Sequence, residues 1–105
     1  MLDFGLPKQT IDCLIEYFKS KLAIDKVLIF GSRAKGNFRN GSDIDFAIWT
    51  DDHENFHRIF GELDDLPTPY KFDVIDYKAL SHDGMKNSIN SDGVLFYQRH
   101  KYLTY

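Results

Sequence analysis

The chain has 105 residues, of which 43% are hydrophobic and 28% are charged. This length fits one domain spanning residues 1–105, and the composition is typical of a soluble globular protein rather than a disordered one. Thirteen Lys and Arg against sixteen Asp and Glu give a net charge of −3. That balance argues against direct nucleic-acid binding, which normally requires a basic face.

The sequence also indicates where the protein resides. No stretch approaches the roughly 20 apolar residues of a membrane-spanning helix, and the N-terminus lacks the basic and apolar regions of a signal peptide. The single cysteine, Cys13, cannot form an internal disulfide, so nothing indicates an oxidising compartment. We therefore expect a cytoplasmic protein without a membrane partner.

The first predicted elements are a helix and a strand. Residues 8–22 carry apolar side chains at helical spacing, and Pro7 stands at the first turn, where a helix tolerates proline. The short apolar run at residues 27–30 predicts a buried strand that stops at Gly31. The predicted buried stripe of the helix consists of Ile11, Leu14, Ile15, Phe18 and Leu22.

A polar connection and a second strand follow. Residues 32–42 are interpreted as a loop because pairs such as Asn40-Gly41 are typical of turns. Apolar residues then alternate with others over residues 43–49, which predicts a strand with two different faces. Because the connection contains no convincing long helix, an antiparallel pair is favoured over a crossover between parallel strands.

The second half of the chain continues the alternation of helices and strands. Asp52 is a candidate N-cap for a second helix with a stripe of Phe56, Ile59, Phe60 and Leu63. A third strand is predicted at residues 71–77, a third helix at residues 81–90 and a last strand at residues 94–97. The order α-β-β-α-β-α-β predicts an α/β or α+β fold with helices packed on a small mixed sheet.

Three aspartates are the candidate catalytic and metal-binding residues. Asp43 and Asp45 enter the second strand two residues apart, so they share one face with Cα atoms about 6–7 Å apart. Carboxylates this close repel unless a cation lies between them. Mg²⁺ binds through one or two carboxylates plus substrate phosphates, and two such ions can clamp a phosphoryl-type displacement. Asp73 is the candidate third acid, because an aspartate within an apolar strand is costly without a partner.

Gly31 and Ser32 are the candidate phosphate-binding residues. In an antiparallel pair, the exit of the first strand meets the entrance of the second, so these residues should face the carboxylates. Glycine allows backbone to approach a phosphate closely, and the turn can offer N–H groups and the Ser32 hydroxyl. Arg33 is a further nucleotide-binding candidate, and it and Lys35 could offset the charge of a triphosphate.

Each part of this pattern has an ordinary alternative. An aspartate pair can lie in a solvated turn, and Asp73 could be an edge-strand acid facing water. Asn37-Phe38 stands where a P-loop requires Lys-Ser/Thr, which excludes that motif.

His53 and His57 are interpreted as surface histidines rather than zinc ligands. Asp76 is interpreted as a surface residue at a strand end, and Tyr97, Tyr102 and Tyr105 as a contact surface or a tail.

The combined pattern resembles that of a known family. The segment GSRAKGNFRNGSDIDFAI holds Gly31-Ser32, ten intervening residues and then Asp43-x-Asp45. This is similar to the GSx10DxD signature of the DNA polymerase β-like nucleotidyltransferase superfamily, and in particular to its short members, the minimal nucleotidyltransferases (MNT). With the FDVID and GVLFYQ segments, the resemblance covers nearly the whole chain. Asp73 occupies the place of the third family carboxylate.

The resemblance implies a polymerase β-like nucleotidyltransferase fold, with ATP as substrate and two Mg²⁺ ions as cofactors. MNT proteins are commonly paired with a HEPN-domain RNase toxin and can neutralise it by moving AMP from ATP onto a tyrosine. It therefore implies a HEPN partner and an antitoxin role. Two alternatives stay open: an antitoxin that neutralises its toxin by binding alone, and transfer to a small molecule. The second normally needs a domain that these 105 residues do not provide.

Overall fold

The computed structural model describes residues 3–99, which form a four-stranded sheet with helices packed on it. The strands are β1 Ile24–Phe30, β2 Ile44–Thr50, β3 Phe72–Asp76 and β4 Val94–Gln98. The helices are α1 Lys8–Lys19, α2 Gly31–Lys35, α3 Phe56–Asp64 and α4 Asp83–Asp92, with one 3-10 turn at Tyr77–Ala79.

The sheet is mixed, which confirms the prediction. Its strand order is β3-β2-β1-β4. β1 pairs antiparallel with both β2 and β4, whereas β2 and β3 are parallel. The antiparallel β1–β2 pair brings the end of β1 to the start of β2, and the parallel β2–β3 pair places both strand starts at that same edge.

None of the helices in residues 3–99 is long and apolar enough to span a bilayer.

One hydrophobic core lies between the sheet and the helices α1 and α3. The ring of Phe18 from α1 makes edge contact with Phe46 of β2 at 5.3 Å between centroids, and Phe46 in turn stacks on Phe72 of β3. Aromatic pairs in these arrangements add to the stabilisation that comes from burial alone. The fully buried aliphatic residues of this core are Leu14, Ile24, Val27, Ile29, Ile44, Ile48 and Leu63.

The first helix is shorter than its periodicity predicts. α1 ends at Lys19, and Leu22, predicted in its buried stripe, is 81% exposed. The chain turns at Ser20, whose hydroxyl donates to a carbonyl in the last turn of α1. Arg99 donates to the carbonyl oxygen of Lys21 at 2.5 Å and holds this turn against the start of β1. The turn rotates Leu22 away from the core.

Other predictions of burial and boundaries also differ from the structure. Phe60 is 45% exposed rather than buried, because α3 turns only one narrow face to the sheet through Ile59 and Leu63. Tyr97, interpreted as surface or tail, is 8% exposed and stacks on Phe18. The helix predicted from Asp52 begins at Phe56 instead. Tyr102 and Tyr105 lie outside the described residues.

The connection between β1 and β2 is not wholly a loop. Its first five residues form α2, and Gly36 ends that helix in a left-handed conformation at φ 86°. A glycine is the usual residue at this position because it has no side chain to clash. α2 lies directly against the edge where β1 ends and β2 begins, and this edge carries the predicted site.

Candidate active site

Strand register places two of the three predicted acids side by side. Asp45 of β2 aligns with Asp73 of β3, and aligned residues of neighbouring strands are separated by about 5 Å on the same face of a sheet. Asp43 lies one residue before β2 and is exposed, as is Asp73, whereas Asp45 is half-buried. The fold therefore gathers all three predicted carboxylates at one edge of the sheet.

Gly31 lies directly against the carboxylate of Asp45. Phe30, the last residue of β1, pairs with Asp45, and Gly31 follows with a φ of +74°. A β-carbon on Gly31 would overlap the Asp45 Oδ2 atom. Only glycine combines this left-handed backbone with so close an approach of a carboxylate.

The hydroxyl of Ser32, the next residue, forms no hydrogen bond within residues 3–99 and is half-exposed. Its side chain is thus available to a ligand beside the carboxylates. The backbone carbonyl of Ser32 accepts hydrogen bonds from Gly36 and Asn37, which closes α2 behind it. The structure therefore brings Gly31, Ser32, Asp43, Asp45 and Asp73 together.

The two predicted cations, which were expected to offset the charge of a triphosphate, both have partners within the protein. Arg33 is 3% exposed, and its guanidinium donates to the backbone carbonyl oxygens of Ser42 and Phe4. Lys35 is at 3.6 Å from Asp92 of α4, in an ion pair that joins α2 to α4. The sequence indicated the charge of these residues but not their partners, since a long side chain can reach in many directions.

The acids repel one another. The pKa of Asp45 is raised above its ordinary value of 3.8, first by burial and then by the negative charges of Asp73 and Asp43. Burial and like charges both disfavour an ionised carboxylate, whereas a bound cation would favour it. The donor set of three carboxylates is also the hard-oxygen chemistry that Mg²⁺ prefers. These residues fit a divalent cation.

The carboxylates do not form a complete metal cage. Within residues 3–99, no three His, Cys, Asp or Glu side chains are arranged to hold a metal ion by themselves. This fits the coordination habit of Mg²⁺, which retains several waters and relies on substrate phosphates for part of its shell. The acids that would contribute to such a shell are Asp43, Asp45 and Asp73.

A contact at the far end of the sheet was missed by the sequence interpretation. Asp76, predicted at the surface, has a side chain that is only 13% exposed, and its Oδ2 lies 2.6 Å from Nδ1 of His53. His53 is exposed, as predicted. No periodicity links a residue after β2 to the end of β3, so only the fold reveals this pair. Asp76 lies three residues beyond Asp73 along β3, so its contact with His53 is separate from the sheet edge that carries the three candidate acids.

Comparison with known proteins identifies the family to which this chain is similar. Residues 12–102 match the model of the family described as polymerase beta, nucleotidyltransferase. The matched span includes every residue of the candidate site. A search of curated proteins gives no match.

Solved structures share the fold. A mutant toxin–antitoxin complex containing MntA superposes with a TM-score of 0.65 at 19% identity, over 92% of this chain and 76% of that one. A toxin–antitoxin structure with AMP-PNP gives 0.62 at 18% identity, over 87% and 75%. A protein of Sulfolobus solfataricus, named provisionally as a nucleotidyltransferase, gives 0.55 at 25% identity, over 92% and 84%.

Proposed function

Because the chain belongs to the polymerase β nucleotidyltransferase family, we propose that it transfers AMP from ATP to a hydroxyl acceptor in a Mg²⁺-dependent reaction. The observation that carries this proposal is the convergence of Gly31, Asp45 and Asp73 at one sheet edge. There, a turn that can approach a phosphate lies against a carboxylate whose ionised form is disfavoured by burial and by its acidic neighbours and would be stabilised by a bound cation.

The residues have separate roles in this reaction. Gly31 and Ser32 bind the phosphates through backbone N–H groups and the Ser32 hydroxyl. Asp43 and Asp45 would hold Mg²⁺, which when bound neutralises phosphate charge and orients the leaving group. Asp73 is placed to share in this binding or to accept the proton of the acceptor hydroxyl. The acceptor oxygen bonds to the α-phosphorus, and the bond from that phosphorus to pyrophosphate breaks.

We assign the acceptor to a tyrosine of a HEPN RNase toxin, which makes the chain an antitoxin. Two observations support this assignment. The GSx10DxD pattern resembles that of the MNT antitoxins, and the structures with the same fold include toxin–antitoxin complexes, one of them with AMP-PNP. Charge is also consistent, since a chain with a net charge of −3 has little attraction for RNA or DNA as acceptor.

The test is a labelling experiment with the chain and a HEPN RNase toxin. ATP labelled at the α-phosphate should label the HEPN protein, whereas ATP labelled at the γ-phosphate should not. Mass spectrometry should then locate AMP on a tyrosine, and replacing that tyrosine by phenylalanine should remove the label. A toxin that is neutralised without any label would contradict the proposal and support an antitoxin that acts by binding alone.

A further inference from the structure

The Arg33 guanidinium is a buried cation without an acidic partner among residues 3–99. It is 3% exposed and forms no ion pair in that part of the chain. Burying a charge is costly unless hydrogen bonds or other charges compensate it. Hydrogen bonds to carbonyl oxygens and two ring contacts supply this compensation for Arg33.

Its hydrogen bonds join two segments of backbone. Nε and Nη2 donate to the carbonyl oxygen of Ser42 at 3.1 and 3.0 Å, and Nη1 donates to the carbonyl oxygen of Phe4 at 2.9 Å. Ser42 is the residue immediately before Asp43. Phe4 has a φ of 56°, an uncommon conformation for a residue with a side chain. The carbonyl group of a residue in this uncommon backbone conformation thus accepts a hydrogen bond from a charged donor.

Two aromatic rings cover the same guanidinium. Its carbon lies 5.0 Å from the ring centre of Phe38 and 5.1 Å from that of Tyr70, distances at which a cation is attracted to a ring face. Tyr70 stands three residues before Asp73. The next residue, Lys71, accepts a backbone hydrogen bond from Ile44, which directly follows Asp43.

The contacts therefore connect the three segments that carry the candidate site. Arg33 follows Gly31 and Ser32 in α2, bonds to the backbone beside Asp43, and packs on the segment leading to Asp73. We infer that Arg33 is a positioning residue, which sets the separation between the phosphate-binding turn and the carboxylates without touching the nucleotide. This inference rests on the proposed function of the site.

Lysine cannot replace this arrangement. Its ammonium keeps the charge but lacks the planar fork that reaches two carbonyl oxygens in fixed directions. Methionine keeps an unbranched apolar side chain against the rings but removes all the donors, leaving the carbonyls of Ser42 and Phe4 without their partner. The two variants thus form a graded series, Arg33→Lys and Arg33→Met.

The experiment measures binding rather than turnover. Mn²⁺ is titrated into each variant with a non-hydrolysable ATP analogue, and bound Mn²⁺ is followed by electron paramagnetic resonance. We expect binding to weaken roughly 10–100-fold in Arg33→Met, the range seen when groups that orient metal ligands are removed, and by less in Arg33→Lys. Phe38→Leu removes one of the two rings that cover the guanidinium and should also weaken Mn²⁺ binding. This variant provides the test if Arg33→Met does not fold.

A control separates positioning from general stability. Ile59→Val removes one methylene from the core on α3, away from the site, and should lower the melting temperature without changing Mn²⁺ binding. If Arg33→Lys and Phe38→Leu both bind Mn²⁺ and nucleotide as tightly as Ile59→Val, Arg33 does not position the site. If the wild-type chain itself binds no Mn²⁺ with nucleotide, the proposed function fails as well, and the two failures are distinguishable.

Discussion

Replacing Asp43 and Asp45 together with asparagine is expected to lower the rate of AMP transfer by about 10³-fold or more while leaving the fold intact. Metal-assisted stabilisation of transition-state charge contributes several kcal/mol, and about 1.4 kcal/mol corresponds to a tenfold change in rate. Asparagine keeps the size of aspartate but presents one neutral oxygen, so the cation loses its anionic ligands and the triphosphate loses the cation that offsets its charge.

The same substitution should not lower the thermal stability of the protein in the absence of metal. The pKa of Asp45 is raised in the folded state above its ordinary value of 3.8. The folded state then binds protons more strongly than the unfolded state, so stability falls as pH rises from 3.8 through the raised pKa. At neutral pH the ionised carboxylate opposes folding, and Asp45→Asn removes that opposition. We expect a melting temperature equal to or above that of the wild type without Mg²⁺.

The measurement compares label transfer and melting temperature for the double variant and a control of equal charge change. Asp64→Asn with Asp65→Asn neutralises two exposed acids at the C-terminal end of α3, neither of which belongs to the candidate site. This control should keep wild-type transfer. Transfer by the Asp43 and Asp45 double variant at the rate of the control would show that these acids do not carry the reaction.

Gly31→Ala is expected to have the next largest effect, a loss of about 10²-fold in transfer rate. The added methyl group would overlap the Asp45 carboxylate, and a misplacement of about 1 Å at a reacting centre can cost this much. The left-handed conformation at φ 74° adds a backbone cost of about 1–2 kcal/mol for a residue with a side chain.

Gly36 provides the matched control for this substitution. It also has a positive φ, 86°, but an added β-carbon there meets nothing within 4 Å. Gly36→Ala should therefore lower the melting temperature only through the backbone strain that is common to both variants, whereas Gly31→Ala adds the overlap with Asp45. Only Gly31→Ala should lower transfer steeply. Equal activity of the two variants would contradict the close packing of Gly31 and Asp45 as a requirement of the reaction.

The sheet could be predicted from sequence because its signals are local. Alternation over residues 43–49 and the apolar run at residues 27–30 report the burial of neighbouring side chains, and both strands are present, although β1 begins at Ile24, three residues before the predicted start. The boundaries depend on contacts from distant residues. Leu22 continues the helical period, but Ser20 and Arg99 redirect the chain before that residue, and periodicity carries no information about such a contact.

The residues of the candidate site also differ in how far their positions could be predicted from the sequence. Gly31 and Asp45 could be brought together from the predicted antiparallel pair of β1 and β2. Asp73 was predicted from the cost of an unpartnered acid in a strand and from the family resemblance, and only the register of β2 and β3 shows that it is a neighbour of Asp45. The place of Arg33 could not be predicted, because it depends on two carbonyl oxygens and two rings that are far apart in sequence. Its charge suggested a triphosphate partner, whereas the fold uses that charge internally.

The central claim is that the carboxylates of Asp43, Asp45 and Asp73 hold the divalent cations of a nucleotidyl transfer. Its most direct test is a crystal of the protein grown with Mn²⁺ and a non-hydrolysable ATP analogue, with Mn²⁺ located by anomalous scattering. We predict a peak within coordinating distance of Asp45 and Asp43, with the phosphates against Gly31 and Ser32. A well-ordered nucleotide whose Mn²⁺ lies away from these carboxylates would contradict the claim.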